Sequence, residues 1–335
     1  MQTLRKANIM GTGMFLPEKR LTNADLEKMV DTTDEWIITR SGIKERRIVE
    51  ADQTLSDLAV PAAQMAMKNA GVTPEQIGVV ILATFTPDRP ISSTACIIQH
   101  KLGCKNAAAF DVEVACSGFV YASTLAKNFI ATGMYDYALV IGADILSKVI
   151  DFTDRNTCVL FGDGAGAVVF GVSANEDEGV FDVLLGADGG GADHIMIPAG
   201  GSSMPTTVKT VEDRMHFVKI NGKEVFKFST KIVGDMIEQV LTRNNMKLDD
   251  VDLIIPHQAN IRIIESAAKK FDCPMEKFFI NLDKYGNTVA ATIPICIHEA
   301  LQQGRIKQGS TVLLAGFGGG LTWGVIAMKY GKVSI

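Results

Sequence analysis

The chain has 335 residues, 47% of them apolar and 21% charged, enough to bury a sizeable core in two domains or one large duplicated unit. Its formal charge of −5 argues against bulk attraction to nucleic acid or an anionic membrane, leaving any acidic partner to be met by a local basic patch. No window approaches the roughly 18 uninterrupted apolar residues of a spanning helix.

The opening segment MQTLRKANIMGTGMFLP carries a basic pair, but its apolar run breaks at Gly11 and Gly13. No signal peptide is read there, and a soluble, cytoplasmic protein is expected. The same GTG lacks the rest of a dinucleotide fingerprint, and no phosphate-loop pattern occurs anywhere. Six cysteines, at 96, 104, 116, 158, 273 and 296, show neither CxxC pairs nor zinc-site spacing, so reduced thiols are expected.

Short apolar runs then alternate with helical stretches: IGVVILATF (77–85), AAAFDVEVA (107–115), YALVIGA (137–143), VDLIIP (251–256) and TVLLAGF (311–317). Runs of this length bounded by Gly, Asp or Pro fit buried strands, and the alternation gives an α/β class. Cys116 follows the second run, and the apolar stretch after Gly118 reads as a buried helix. A cysteine where a helix begins meets unpaired N–H groups that favour the thiolate, so it is a candidate nucleophile. A buried structural thiol is the competing reading.

From about 172 to 235 the pattern turns glycine-rich and polar, with GADGGGADH, PAGGSSMPT and a run of lysines. This segment reads as loops, either a solvated connection or a cover for substrate. His257 stands directly after the strand VDLIIP, the end of an open α/β sheet where ligands bind, although a lone histidine is often structural. Asn287 follows Gly286 in DKYGNTVAAT, where a simple helix cap is the competing reading. GFGGG at 316–320 lets backbone approach a ligand closely and can present an amide to an oxyanion, or it forms a bulge.

The two halves also resemble each other. TPEQIGVVILA matches KLDDVDLIIPH and ALVIGA matches TVLLAGF at an offset of 174, while Cys104 and Cys273 stand 169 apart. Cys116 and Asn287, 171 apart, then fall at nearly equivalent turns, which a pseudo-twofold axis would bring together. Division into residues 1–172 and 173–335 is expected, the second half opening with the loop-rich insertion at about 173–235.

Taken together, VACSGFVYA, PHQANIRI, KYGNTVAAT and AGFGGGLTWG resemble the motifs of β-ketoacyl-acyl carrier protein synthase III, in the thiolase superfamily; TTDEWIITRSGIKERR and FGDGAGAVV extend the resemblance over almost the whole chain. Related elongating enzymes pair their cysteine with two histidines, so the asparagine points to the initiating class. Chalcone-synthase-like enzymes share Cys-His-Asn but lack the DEWI segment, and a papain-like protease would not show the duplicated pattern. The resemblance implies a duplicated five-layered αβαβα fold, a homodimer, and a decarboxylative condensation of an acyl-CoA with malonyl-acyl carrier protein. It implies no metal or redox cofactor, the CoA thioesters being substrates. Cys116, His257 and Asn287 would be catalytic, with backbone amides of Cys116 and Gly319 holding an oxyanion. Trp36, Arg40, Arg155 and Asn260 would contact CoA. Arg262, Lys269, Lys270 and Lys227 would dock the carrier protein. Ile91, where the family often has phenylalanine, and Phe317 would shape the acyl pocket. A further departure is Asn156 in DRNTC, in place of a familiar glycine. Polyketide, quinolone or alkene-precursor condensation, and a noncatalytic acyl-CoA or carrier-protein binding module, are the other readings of the same residues.

Overall fold

A computed structural model describes residues 4–333. Thirteen strands appear among them: β1 (Ala7–Phe15), β2 (Arg20–Thr22), β3 (Glu45–Arg47), β4 (Val79–Ala83), β5 (Ala108–Val112), β6 (Tyr137–Asp144) and β7 (Gly164–Val172), then β8 (Gly179–Ala187), β9 (Ile195–Met196), β10 (Lys219–Ile220), β11 (Leu253–Pro256), β12 (Thr311–Gly318) and β13 (Thr322–Lys329). Ten helices accompany them: α1 (Asn23–Leu26), α2 (Asp34–Ser41), α3 (Leu55–Ala70), α4 (Thr94–Leu102), α5 (Gly118–Ala131), α6 (Val208–Glu212), α7 (Gly222–Arg243), α8 (Ile261–Lys270), α9 (Leu282–Tyr285) and α10 (Thr292–Gln302).

Two sheets carry the architecture. The first has the order β1-β7-β6-β4-β5 and the second β11-β12-β13-β8. Both mix directions: β4 runs parallel to β5 and β6, and β11 parallel to β12, while β7 and β13 pair antiparallel. Helices α5 and α10 are apolar nearly all round and lie between the sheets, where one core joins β4, β6, β11 and β12. Helices α3 and α4 cover the outer face of the first sheet, and α7 and α8 that of the second. Five layers result, the duplicated αβαβα arrangement of the thiolase fold.

Duplication holds its register through the centre of the molecule. Leu253, Thr311 and Thr292, which open β11, β12 and α10, each stand 174 positions after Val79, Tyr137 and Gly118, which open β4, β6 and α5. The short 3-10 turns Ala115–Ser117 and Val289–Ala291 match at the same offset. Each opens on a non-glycine residue in the left-handed region, Ala115 at φ 41° and Val289 at φ 54°. Holding two β-carbons there costs of order 1–3 kcal/mol apiece, borne by the dense packing around them. The register therefore sets Cys116 opposite Ala290. Asn287 lies three residues before that position, in the loop entering the turn.

The glycine-rich segment is more regular than its composition suggests. β8 within it closes the second sheet by pairing antiparallel with β13. α7 begins at Gly222, and Lys223, Lys227 and Lys231 repeat every four residues along it, so the lysine run is a helix. The irregular part shrinks to residues 188–221, held by the two-residue pair β9–β10.

Candidate active site

Four chain segments converge on one cavity of about 150 Å³, whose wall includes Cys116, His257, Asn287, Phe317, Gly318 and Gly319. Apolar side chains of Phe85, Leu146, Phe161, Ile195, Val218 and Ile220 line much of the rest. Three of these come from the 188–221 segment, which is thus a wall of the cavity and not a remote connection.

Cys116 lies in the turn between β5 and α5 and is 9% exposed. Strand β12 passes so close that a β-carbon on Gly318 would sit 2.6 Å from the Cβ of Cys116 and 3.1 Å from its Sγ. Only glycine fits there. The amides of Cys116 and Gly319 both favour the thiolate, but burial and the charge of Asp144 outweigh them and push the thiol up to about 12. The amides at the helix start act in the expected direction but are outweighed. Desolvation wins, and the sulfur holds its proton at neutral pH.

His257 follows β11 and is 1% exposed, its amide bonded to the Ala315 carbonyl at 2.8 Å. Phe317 meets the imidazole edge-on, with centroids 5.2 Å apart. Nδ1 lies 2.8 Å from Thr292 Oγ1, at the start of α10. Burial lowers the ring to about 3, so it is neutral at physiological pH.

Asn287 is held at both ends of its peptide. Its N–H donates to the Leu160 carbonyl at 2.9 Å, and its own carbonyl accepts from the Gly162 N–H at 3.0 Å. Its Oδ1 accepts the Val289 N–H at 2.8 Å. That bond fixes the side-chain flip and leaves Nδ2 as the free donor.

Asp144, at the end of β6 and fully buried, was not singled out from sequence. It accepts from Thr84 Oγ1 at 2.9 Å, Thr86 Oγ1 at 2.8 Å, the Phe85 N–H at 3.1 Å and the Ala290 N–H at 3.2 Å. One carboxylate thereby ties the loop after β4 to the turn behind Asn287. Burial raises it to about 7, against the pull of these donors. Thr292 was missed as well. Both had a readable address, Asp144 at a strand end and Thr292 closing the GNTVAAT motif, but neither residue type announces a role by itself.

A second cleft, of about 360 Å³, shares Leu160, Ile220, Gly222 and Asn260 with the cavity and opens outward past Trp36, Arg40, Asn156 and Lys223. Arg155 stacks on Trp36 with its guanidinium 4.6 Å from the ring centroid, and Arg40 lies at 6.0 Å. The pair is closed on itself, so a base entering between them must displace Arg155, which Asp31 holds from the solvent side at 3.4 Å. Asn260 caps α8 and donates to the Arg40 carbonyl at 2.8 Å, joining α2 to α8 at the cleft. Arg262, Lys269 and Lys227 are exposed on α7 and α8, with Arg262 over the Phe226 ring. Lys270 is not a free cation, since Asp235 at 2.7 Å and Glu238 at 2.9 Å already engage it. Ile91 is 86% exposed and is not part of the wall of this cavity. Among the described residues no group of three or more His, Cys, Asp or Glu side chains is arranged to hold a metal ion, and no helix is long and apolar enough to cross a membrane.

Residues 110–189 match the family model described as 3-oxoacyl-[acyl-carrier-protein (ACP)] synthase III, and residues 241–330 match its C-terminal counterpart. The β-ketoacyl-[acyl-carrier-protein] synthase III of Caldanaerobacter subterraneus subsp. tengcongensis is 52% identical over 97% of this chain and 98% of its own. That of Symbiobacterium thermophilum is 49% identical over 98% and 99%. The crystal structure of 3-oxoacyl-[acyl-carrier-protein] synthase III from Aquifex aeolicus VF5 superposes with a TM-score of 0.90 at 44% identity, over 97% of this chain and all of that one.

Proposed function

Because the chain belongs to the β-ketoacyl-acyl carrier protein synthase III family, we propose that Cys116, His257 and Asn287 divide its reaction between acyl transfer and decarboxylation. The chain is an acyltransferase, the initiating condensing enzyme of fatty acid biosynthesis. The observation that carries the division of labour is the single apolar cavity onto which all three side chains and Gly319 open.

In the first stage the Cys116 sulfur attacks the thioester carbonyl of an acyl-CoA. The carbon–sulfur bond to CoA breaks, and the cysteine proton leaves with the CoA thiol. The amides of Cys116 and Gly319, already directed at the sulfur, stabilise the oxyanion formed there. In the second stage malonyl-acyl carrier protein loses carbon dioxide, and the electron pair of the broken bond becomes an enolate. Asn287 Nδ2 and the His257 ring donate to its oxygen. The enolate carbon then attacks the acyl-cysteine, releasing β-ketoacyl-acyl carrier protein and a thiolate that takes its proton from solvent. No step draws electrons from a redox group or needs a Lewis acid; release of carbon dioxide supplies the driving force.

The cleft past Trp36, Arg40, Arg155 and Asn260 is our assignment for the CoA nucleotide, because it runs into the cavity and brings stacking and cationic groups to its mouth. Exposed Arg262, Lys269 and Lys227, with Lys270 partly neutralised, form the face we assign to the acidic carrier protein. Residues 1–172 and 173–335 are read as the two thiolase-like halves. A homodimer is supported by β5, which pairs with β4 on one side only and leaves a sheet edge for a second copy, and by the exposed Ile91. In the dimer Ile91 and the chain's own Phe317 shape the acyl pocket. A cytoplasmic setting accords with carrier-protein substrates.

Labelled acyl-CoA tests the core of this reading. Wild type retains label on Cys116 and Cys116→Ala retains none; label on the variant would defeat the assignment. Asn287→Ala is expected to keep self-acylation while decarboxylation of malonyl-acyl carrier protein falls about 100-fold. Loss of both together would make Asn287 structural.

A further inference from the structure

We infer that Thr292 is the positioning residue that lets His257 act as a hydrogen-bond donor: its hydroxyl proton fills the Nδ1 lone pair, which leaves the single proton of the neutral ring on Nε2. The inference rests on the decarboxylation role proposed above for His257.

His257 is 1% exposed, and among the described residues no carboxylate is a hydrogen-bond partner to stabilise an imidazolium. A neutral imidazole has one N–H. To donate to an enolate oxygen from Nε2, the ring must present Nδ1 as a lone pair, and a buried lone pair without a donor is costly. Among the described residues the only side-chain partner of Nδ1 is Thr292 Oγ1, at 2.8 Å.

That hydroxyl has a second acceptor within reach, the Val289 carbonyl at 2.9 Å. If its proton turned there, Oγ1 would accept from Nδ1–H and the ring would face the cavity with a bare nitrogen. The Val289 carbonyl, however, already receives the Thr292 backbone N–H, so turning the hydroxyl away strands no buried acceptor. Once negative charge develops beside Nε2, the arrangement with Nε2–H gains a charge-assisted bond and the alternative gains repulsion. The single hydroxyl therefore decides whether His257 meets the substrate as donor or as lone pair. Its placement follows from the fold: Thr292 opens α10, and the turn at Val289 sets that helix start beneath the end of β11.

Thr292→Val, of near-identical shape without a hydroxyl, and Thr292→Ser, which keeps it, provide the test, together with melting temperatures to establish folding. The two half-reactions are measured separately: CoA release on self-acylation, and carbon dioxide release from malonyl-acyl carrier protein. Thr292→Val is expected to acylate within about threefold of wild type and to decarboxylate about 100-fold more slowly, the loss typical of one oxyanion donor. Thr292→Ser should restore the rate. Because Thr292 acts through His257, adding Thr292→Val to His257→Ala should cost nothing further in decarboxylation. Decarboxylation by Thr292→Val at the wild-type rate would overturn the inference, as would a further loss in the double variant or a deficit that serine does not repair. If His257→Ala itself decarboxylates at the wild-type rate, the underlying role of His257 fails instead.

Discussion

Cys116 is the residue at which opposing physical effects meet. Two amides draw it toward thiolate, while burial and Asp144 hold its proton in place, and the sum stands at about 12. Below that value the thiolate fraction grows tenfold per pH unit. The rate of alkylation by iodoacetamide is therefore expected to climb through pH 9 without levelling. A plateau near pH 7 would show that the amides win. Asp144 adds a sign that can be checked separately. Its carboxyl, raised to about 7, is neutral at pH 5 and charged at pH 8. That charge is, after burial, the second effect that raises the Cys116 thiol. Asp144→Asn should accordingly leave alkylation unchanged at pH 5 and speed it at pH 8, by lowering the thiol only where wild type carries the charge. Equal rates at both pH values would remove Asp144 from the account of Cys116.

Among the elements, β12 controls how close the glycine run comes to the nucleophile. A β-carbon on Gly318 would fall inside contact distance of both Cβ and Sγ of Cys116, so Gly318→Ala must move either β12 or the catalytic turn. Overpacking of this kind costs about 1–3 kcal/mol of stability. Acylation should drop at least about tenfold, since a small misplacement of reacting atoms is expensive. Normal acylation by a folded variant would mean that the turn has slack. This approach was legible in the sequence only as a glycine run after a strong strand. β4, β6, β11 and β12 could be read because each contains an unbroken Val/Ile/Leu stretch buried on both faces. β8 escaped because it is a half-exposed edge strand between the acidic stretch SANEDE and a glycine-rich loop, and β5 ended earlier than its apolar run because Glu113 and Val114 lead into the turn that carries Cys116. α7 was obscured by its lysines, which a composition reading counts as polar and a four-residue spacing reveals as one helical face. What could not be read at all was tertiary: that Asp144 reaches Ala290, or that Thr292 lies beneath His257, depends on contacts between segments more than 30 residues apart.

At the scale of the molecule, duplication brings the two catalytic turns together, and their register explains a division that the individual motifs do not. The strained turn of the first half carries the proposed nucleophile at position 116, and the equivalent position 290 in the second half is an alanine whose amide serves Asp144. The second half contributes donors from either side of that point, Asn287 before the turn and His257 across the sheet end. On the reading proposed above, one half would hold the acyl group and the other the developing enolate. The same architecture leaves β5 with an open edge, and the loop before α4 leaves Ile91 86% exposed. An isoleucine so exposed gains about 1.5–3 kcal/mol when buried against a partner. Sedimentation should accordingly give a mass near twice 36.1 kDa. Ile91→Lys should weaken association by at least about tenfold, since 1.4 kcal/mol is a factor of ten. If Ile91 reaches the partner's acyl pocket, the same variant should also shift primer preference in whatever dimer remains at high concentration, because a lysine then stands where an aliphatic wall had been. A monomer with full activity would place the whole pocket within one chain and make the exposure of Ile91 incidental.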